Sequence, residues 1–510
     1  MKRKGTVLFA VILVAAMALP QGILAADEDV QKKLDALSKE VQSLQRQVAA
    51  SKEGKKPTSD WLTIGGDYRF RIDSLKGKTH DYYGFANIVA WQMGGMVGAP
   101  PLTGSETVKN DLLYTNRFGL NLKAKATKNV SVTGRLLMYK SFGNGDASAT
   151  TGNYFADRVG VFDGTQGHIP GDGKLTVDEI YATWSNILDQ PVWFSVGRRP
   201  STGGIPSHLR QNDPKPGNGG IPALLVDYAF DGMTLGFAPD IEALPGAYAK
   251  LCYGRGFENG FTSPSSSNNS IKDTDMLGVS IVPYDTDPLY LNFQWNRGFD
   301  IFDFPVIASS PLGSLAPHTD LGDIDWFGAT ALSTLKKIGP GTLNVFASAG
   351  LSKTHPNGKT VVFNGIDTGA GLMFSGKNDS TTGEAFFVGG RYDLLSTRTK
   401  IGAEFNHGSK NWITFTPAAD DVWTSKLGTR GNVYEVYLIQ EINAAPISSY
   451  IAKTFVRVGF QYYDFQYTGS NNWVGAPVKV ADLAAGPMNA QMLTPLETAR
   501  DIYGTFEVKF

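Results

Sequence analysis

The run from Asp172 to Glu179 matches the second half of an EF-hand calcium loop, with Glu179 at the last ligand position. The first and third positions would then be His168 and Pro170, which supply no carboxylate where the loop needs one. A loop closing into a strand is the better account, with weak calcium binding as the alternative. Gly197 to Gly204 is glycine-rich, but no helical pattern follows, so neither a P-loop nor a dinucleotide fingerprint is supported and a tight turn is expected. The six histidines (His80, His168, His208, His318, His355 and His407) include no His-x-x-x-His pair. A hydrolase arrangement would have to use His208 or His407 beside a loop aspartate, and no local nucleophile signature accompanies either. Cys252 is the only cysteine, which excludes an intrachain disulfide, covalent c-type haem and a multi-cysteine zinc site. A structural cysteine on a strand is expected. The residues therefore predict no catalytic site, no metal and no cofactor.

The elements that carry these residues begin with an export signal. Lys2, Arg3 and Lys4 precede an apolar stretch from Val7 to Leu19, and Pro20, Gly22 and Ala25-Ala26 follow. Residues 1–26 read as a cleaved signal peptide. Its loss takes the 47 basic residues to 44 against 48 acidic ones, a net of −4. That balance argues against a nucleic-acid partner, which selects a basic footprint. Val30, Leu34, Leu37, Val41, Leu44 and Val48 then form an a/d heptad seam, so residues 27–50 are expected to be a periplasmic coiled-coil helix that drives oligomerisation. Residues 51–60, with Gly54 and Pro57, read as a linker.

From Trp61 to Phe510 the hydrophobic period is two. Leu62, Ile64, Tyr68, Phe70 and Ile72 alternate with Thr63, Asp67, Arg69, Arg71 and Asp73. Leu291, Phe293 and Trp295 alternate with Asn292, Gln294 and Asn296, and Val456, Val458, Phe460 and Tyr462 with Arg457, Gln461 and Tyr463. A soluble sandwich would turn the apolar face inward; a membrane barrel turns it to lipid and the charged face to the lumen. Length favours the membrane, since these strand regions run about 9 to 13 residues against about 5 to 6 for soluble strands. Past the signal, no apolar run is long enough for a spanning helix.

Connections alternate short and long. Short ones are expected at Ala126–Asn129, Leu188–Gln190, Asp231-Gly232, Tyr284–Asp287, Lys336–Gly339, Leu394–Thr397 and Asn443–Ser448. Long ones are expected at 74–111, 141–174, 200–221, 256–273, 298–321, 351–381, 408–431 and 464–498. This pattern implies an all-β transmembrane antiparallel barrel of 16 strands over 61–510, with both ends on the short-turn, periplasmic side. The count treats Gly232–Arg255 as one strand region interrupted around Pro239–Pro245, and 18 strands is the alternative. Phe510 ends an alternating strand, as does the signal read by barrel-assembly machinery.

The segment Trp61-Leu-Thr-Ile-Gly-Gly-Asp-Tyr-Arg-Phe-Arg71 resembles the first barrel strand of a poorly characterised family of porin-like outer-membrane β-barrels in metal-reducing, delta-proteobacterial bacteria. Tyr114-Thr-Asn-Arg117, Glu179-Ile-Tyr181 with Trp184, and Gly197-Arg-Arg-Pro200 running into Gly203-Gly-Ile-Pro206 carry the same resemblance. It spans the mature chain and implies a porin-like barrel, with no enzyme activity and no particular solute.

The expected site is the lumen. A barrel of about sixteen strands is wide enough for an aqueous channel. Inward candidates are Asp67, Arg69, Arg71, Asp73, Arg117, Lys123, Arg135, Glu179, Arg391, Glu404, Glu435, Arg457, Glu507 and Lys509. Facing rows of opposite charge would favour small polar solutes or ions; the plainer alternative is that the charges pair or solvate the wall. The third long loop, Pro200–Gly220, is expected to fold inward as a constriction, as in general porins. Arg198, Arg199, His208, Arg210 and Asp213 lie on or beside it, with Arg210 as the charged tip. The expected whole is a trimeric porin in outer-membrane lipid. The alternatives are a sheath for a periplasmic or surface multihaem cytochrome, or a surface scaffold or adhesin.

Overall fold

A computed structural model describes residues 61–144, 170–171, 173–199, 204–215, 224–226, 230–261, 263, 271–304, 307–310, 313–363, 365–416, 421–442 and 452–510. The expected signal peptide, coiled coil and linker lie outside the described residues.

Among the described residues, sixteen antiparallel strands close into one barrel. They are β1 (Leu62–Thr79), β2 (Thr107–Lys125), β3 (Val130–Ser141), β4 (Thr176–Ser185), β5 (Val192–Arg199), β6 (Phe230–Phe237), β7 (Tyr248–Phe257) and β8 (Thr274–Asp285). The second half comprises β9 (Tyr290–Phe299), β10 (Gly322–Ile338), β11 (Gly341–Pro356), β12 (Thr382–Leu394), β13 (Thr399–Gly408), β14 (Gly431–Glu441), β15 (Lys453–Phe465) and β16 (Leu496–Lys509). Each strand pairs with its sequence neighbours, and β16 returns to β1, with Asp67 opposite Lys509 and Asp73 opposite Tyr503. Closure leaves no free sheet edge. Phe510 seals the seam: its backbone exchanges hydrogen bonds with Gly66 at 2.8 and 2.9 Å. The phenyl ring lies where a Cβ on Gly66 would stand, 2.8 Å from Cζ.

Alternation sorts each strand into two faces, as the period of two requires. Ile180, Trp184, Leu235, Leu251, Phe293, Phe327, Ile401, Val436, Val458 and Ile502 are exposed on the outer wall. Their neighbours Arg69, Arg71, Asn292, Asn296, Glu404, Glu435, Arg457 and Asp501 are buried inside. An apolar outside around a charged inside is the signature of an outer-membrane-type barrel. No helix among the described residues is long and apolar enough to cross a membrane.

Towards the long loops this polarity inverts. Leu75 and Leu113 are buried inside, while Lys76, Lys78, Lys109 and Asp111 are exposed. On β5–β10 the outer face here carries ion pairs: Arg198 with Asp231, Arg255 with Asp275, and Arg297 with Asp323 and Asp325. Strands therefore extend beyond the apolar band, and β1 and β2 continue to Thr79 and from Thr107, inside the expected 74–111 loop.

One expected turn is corrected. Asp231-Gly232 lies within β6, paired with Arg198-Gly197 and with Arg255-Gly254. A Cβ on Gly232 would stand 2.0 Å from the Tyr253 carbonyl oxygen, so glycine permits a close strand approach there rather than a turn. The actual short connection is 238–247, where Pro239 and Pro245 cannot donate to a ladder and Gly246 takes φ 74°. Residues expected as the strand before that turn belong to the third long loop, so the count of sixteen is preserved.

The loop-side half of the interior is a packed core. Trp326 on β10 packs at 4.8 Å, tilted, against Phe415; Phe415 meets Trp473 edge-on at 5.2 Å, and Trp473 meets Phe302 edge-on at 6.0 Å. Each buried indole N–H finds a carbonyl: Trp326 donates to Ile413 at 2.9 Å, Trp412 to Leu427 at 2.7 Å and Trp473 to Phe302 at 2.6 Å. Buried aromatics need such partners, and these join loops 5 (300–321), 7 (409–430) and 8 (466–495) to one another and to the wall. Helix α1 (Phe85–Met93) of loop 1 docks on loop 8, with Phe85 N–H donating to Gln491 O at 2.9 Å.

Candidate functional site

In the third long connection, between β5 and β6 (loop 3), residues 204–215 form a short coiled turn inside the barrel. Hydrogen bonds from Ser207 N to Gly204 O, Leu209 N to Pro206 O, Gln211 N to Ser207 O and Asp213 N to His208 O, at 2.9 to 3.2 Å, wind it tightly. The last carbonyls of such a turn lack helical donors and carry partial negative charge. Four wall cations meet four consecutive ones. Arg391 of β12 donates to Leu209 O, and Arg457 of β15 to Arg210 O at 2.9 Å. Lys509 of β16 donates to Gln211 O at 3.1 Å, and Lys453 of β15 to Asn212 O. Lys509 also pairs with Asp213, and Lys215 pairs with Asp285 at the end of β8. The turn thus reaches from the β8 wall to β16, near the short-turn end.

Side chains continue the clasp. Arg210 Nη1 lies 2.7 Å from Asp421 Oδ1 and 3.1 Å from Glu435 Oε2. Lys426 Nζ lies 2.6 Å from Glu435 Oε2 and also pairs with Glu404. Gln461 donates to Asp421 at 2.7 Å and to Glu435 at 3.0 Å, and Tyr503 OH donates to Glu435 Oε1 at 2.7 Å. Arg457 Nη2 reaches Glu507 at 3.0 Å. Arg71 joins Asp73 at 2.6 Å and Asp501 at 2.8 Å and lies over the Tyr503 ring. Stranding one member of so dry a network costs several kcal/mol, roughly 3–5, because its partner keeps an uncompensated charge. Burial alone would lower the Arg210 pKa, but the carboxylates of Glu435, Asp421 and Glu404 outweigh it and hold the guanidinium well above its ordinary value. His208 lies on the same turn; burial, then the charges of Arg391 and Lys215, push it down to about 3.

The opposite wall is wetter. Arg117 and Asp67 keep 25% and 16% of their side-chain surface, whereas Arg210 and Glu435 of the clasp keep 3% and 1%. Asp67 bridges Arg135 at 2.6 Å and Arg117 at 3.6 Å, and Arg135 Nε meets Asp178 at 3.1 Å. Lys123 is exposed on the same inner face. On β12–β16 the charges that meet loops 3 and 7 are mostly buried, as are Arg69, Arg71 and Asp73 of β1, whereas Asp67, Arg117, Lys123, Arg135 and Glu179 of β1–β4 keep contact with solvent.

Every lumenal candidate lies on the inner face: Asp67, Arg69, Arg71, Asp73, Arg117, Lys123, Arg135, Glu179, Arg391, Glu404, Glu435 and Arg457. Of the loop candidates, Arg210 and Asp213 make the clasp and His208 is buried beside it. Arg199 lies on the inner wall, donating to Thr234 and covering the Tyr181 ring. Arg198 is corrected: it shares the outer face with Val196 and Met233 and pairs with Asp231, because residues on one strand alternate faces. Asp501, Tyr503, Lys453 and Lys400 also point inward, and the sequence reading gave them no role. Asp421 and Lys426 sit in an aperiodic loop and carry no sequence signal. Asp178 turns inward at a register shift between β3 and β4. His407 lies against Phe386 on the outer face, 2.8 Å from Asn432. Among the described residues no three His, Cys, Asp or Glu side chains converge as a metal site.

Residues 107–510 match the family described as protein of unknown function (DUF3373). No curated protein matches the chain significantly. Among solved structures, the chain is similar to an anion-selective porin from Comamonas acidovorans, with 11% identity and TM-score 0.42, covering 88% of this chain and 99% of the porin. It is also similar to the outer-membrane protein OmpT of Vibrio cholerae, with 12% identity and TM-score 0.40, covering 89% and 99%. OprB of Pseudomonas putida aligns at 8% identity and TM-score 0.42, covering 88% and 94%.

Proposed function

For this chain, which belongs to that family, we propose an outer-membrane diffusion channel whose water path is eccentric, running along the β1–β4 wall. The observation that carries this reading is the division of the lumenal charges. Loop 3 is clasped to β12–β16 by cations of the wall, while Asp67, Arg117, Lys123, Arg135 and Glu179 of β1–β4 keep contact with solvent. Asp67, Arg117, Lys123, Arg135, Asp178 and Glu179 present both signs, which suits small polar solutes and ions with modest charge preference. Both chain ends are periplasmic in this reading, the segment 27–50 joins three copies, and the family's home is a metal-reducing bacterium. A lumen occupied by its own loops argues against a sleeve around a cytochrome.

The test is conductance of the purified, folded protein in a planar bilayer. Discrete steps are expected, and Arg117→Glu should shift the zero-current potential towards cation preference. Silence from protein that is folded by circular dichroism refutes the channel. Steps unaltered by Arg117→Glu refute the eccentric path alone.

A further inference from the structure

Loop 1 (80–106), loop 6 (357–381), loop 7 and loop 8 line a cavity of about 580 Å³ at the long-loop mouth. This volume is within the range of small-molecule sites. Its walls are apolar and amide in character: Phe85, Ile88 and Val89 of α1 face it, with Trp423 of loop 7 and Asn471 and Gln491 of loop 8. Among the lining residues Arg430 is the only charged side chain.

Arg430 is 1% exposed. Nε donates to Trp412 O at 2.8 Å, Nη1 to Thr468 O at 2.9 Å, and Nη2 to Asn472 O at 2.6 Å and to the Met373 sulfur at 3.2 Å. These acceptors are all neutral. Four of the five guanidinium N–H groups are occupied, and the remaining one, on Nη1, has no partner among the described residues. Burial pushes the pKa down to about 9, with no opposing carboxylate among the described residues. A buried unit charge without a counter-charge is costly, and by contrast the buried cations of the loop 3 clasp have carboxylates nearby. Gly469, in the same cavity wall, puts no side chain over Nη1: a Cβ there would stand 2.8 Å from that nitrogen.

We propose that this cavity binds a small amphipathic organic anion, its carboxylate on Arg430 and its apolar body between α1 and loop 8. The anion supplies the missing counter-charge, and the apolar wall selects a carboxylate with a ring or short hydrocarbon body over inorganic anions. This assignment is independent of whether the lumen conducts.

Phenylacetate and its neutral isostere phenylacetamide distinguish charge from shape, and both partition little into lipid. Titrated into the full chain in nanodiscs and followed by calorimetry and tryptophan fluorescence, phenylacetate should bind saturably and about tenfold more tightly than the amide, the worth of one charge-assisted hydrogen bond. Arg430→Gln should abolish that preference. Gln92→Glu, an exposed change at the rim, should weaken phenylacetate several-fold and leave the amide unchanged, so the test survives if Arg430→Gln does not fold. Equal affinity for acid and amide, absence of saturable binding, or indifference to Gln92→Glu overturns the proposal.

Discussion

Arg210→Met would remove the loop 3 cation that touches two buried carboxylates, Glu435 on β14 and Asp421 in loop 7. Wild-type Glu435 is held by Arg210, Lys426, Gln461 and Tyr503, and Asp421 by Arg210, Gln461 and the Lys426 backbone N–H. Both carboxylates keep partners, so the loss belongs at the lower end for a broken buried pair, about 3 kcal/mol. That is roughly a hundredfold shift in the ratio of docked to released loop. The barrel strands keep their ladders, so the change is confined to loop 3 and loop 7. Hydrogen exchange of residues 204–215 reads it directly: protection of these amides should fall about a hundredfold while the strand amides stay as they were. Adding Glu435→Gln should restore much of the protection, because it removes the charge that the first change strands. Unchanged protection in the single variant, or strictly additive losses in the double, would show that the ion pairs do not hold the loop.

Acid should loosen the same turn. The folded pKa of His208, near 3, lies below the ordinary 6.5, so its cost is absent at neutral pH and grows as pH falls below 6.5 towards 3. At pH 5 this amounts to about 2 kcal/mol, and His208→Gln should flatten the pH dependence of loop 3 exchange between pH 6.5 and 5. Gly402→Val places a Cβ 2.2 Å from the Tyr437 ring, which lies flat on the wall; overpacking of about 1–3 kcal/mol should lower the temperature of barrel unfolding on gels. Leu37→Asp with Leu44→Asp should weaken the oligomer on cross-linking, and an unchanged band pattern removes the coiled coil from the account.

The face of each strand was legible because lipid and lumen impose opposite chemistry on alternate residues; Arg69, Arg117, Glu404 and Arg457 are inside for that reason. Above the lipid this contrast ends. Leu75 and Leu113 face packed loops and Lys76 faces water, so the alternation changes sign and strand ends were read as loops. Asp231-Gly232 misled because glycine serves both turns and close backbone approach, and only the register distinguishes them. The inward fold of loop 3 was expected, but its role as a clasp was not. Arg210 meets Asp421 and Glu435 across 211 and 225 residues of chain, and no local pattern encodes a contact at that separation.

That separation also fixes an order of events. Three of the four cations that hold the loop 3 carbonyls belong to the last two strands: Arg457 and Lys453 on β15, and Lys509 on β16. Until these strands join the sheet, the turn has almost nothing to seize, and its buried histidine and arginine remain in water. Docking of loop 3 is therefore a late step of assembly that follows closure of the β1–β16 seam. A chain shortened before β15, or one whose seam fails to close, would leave 204–215 accessible to protease. Susceptibility of this single turn becomes a readout of whether the whole cylinder was completed.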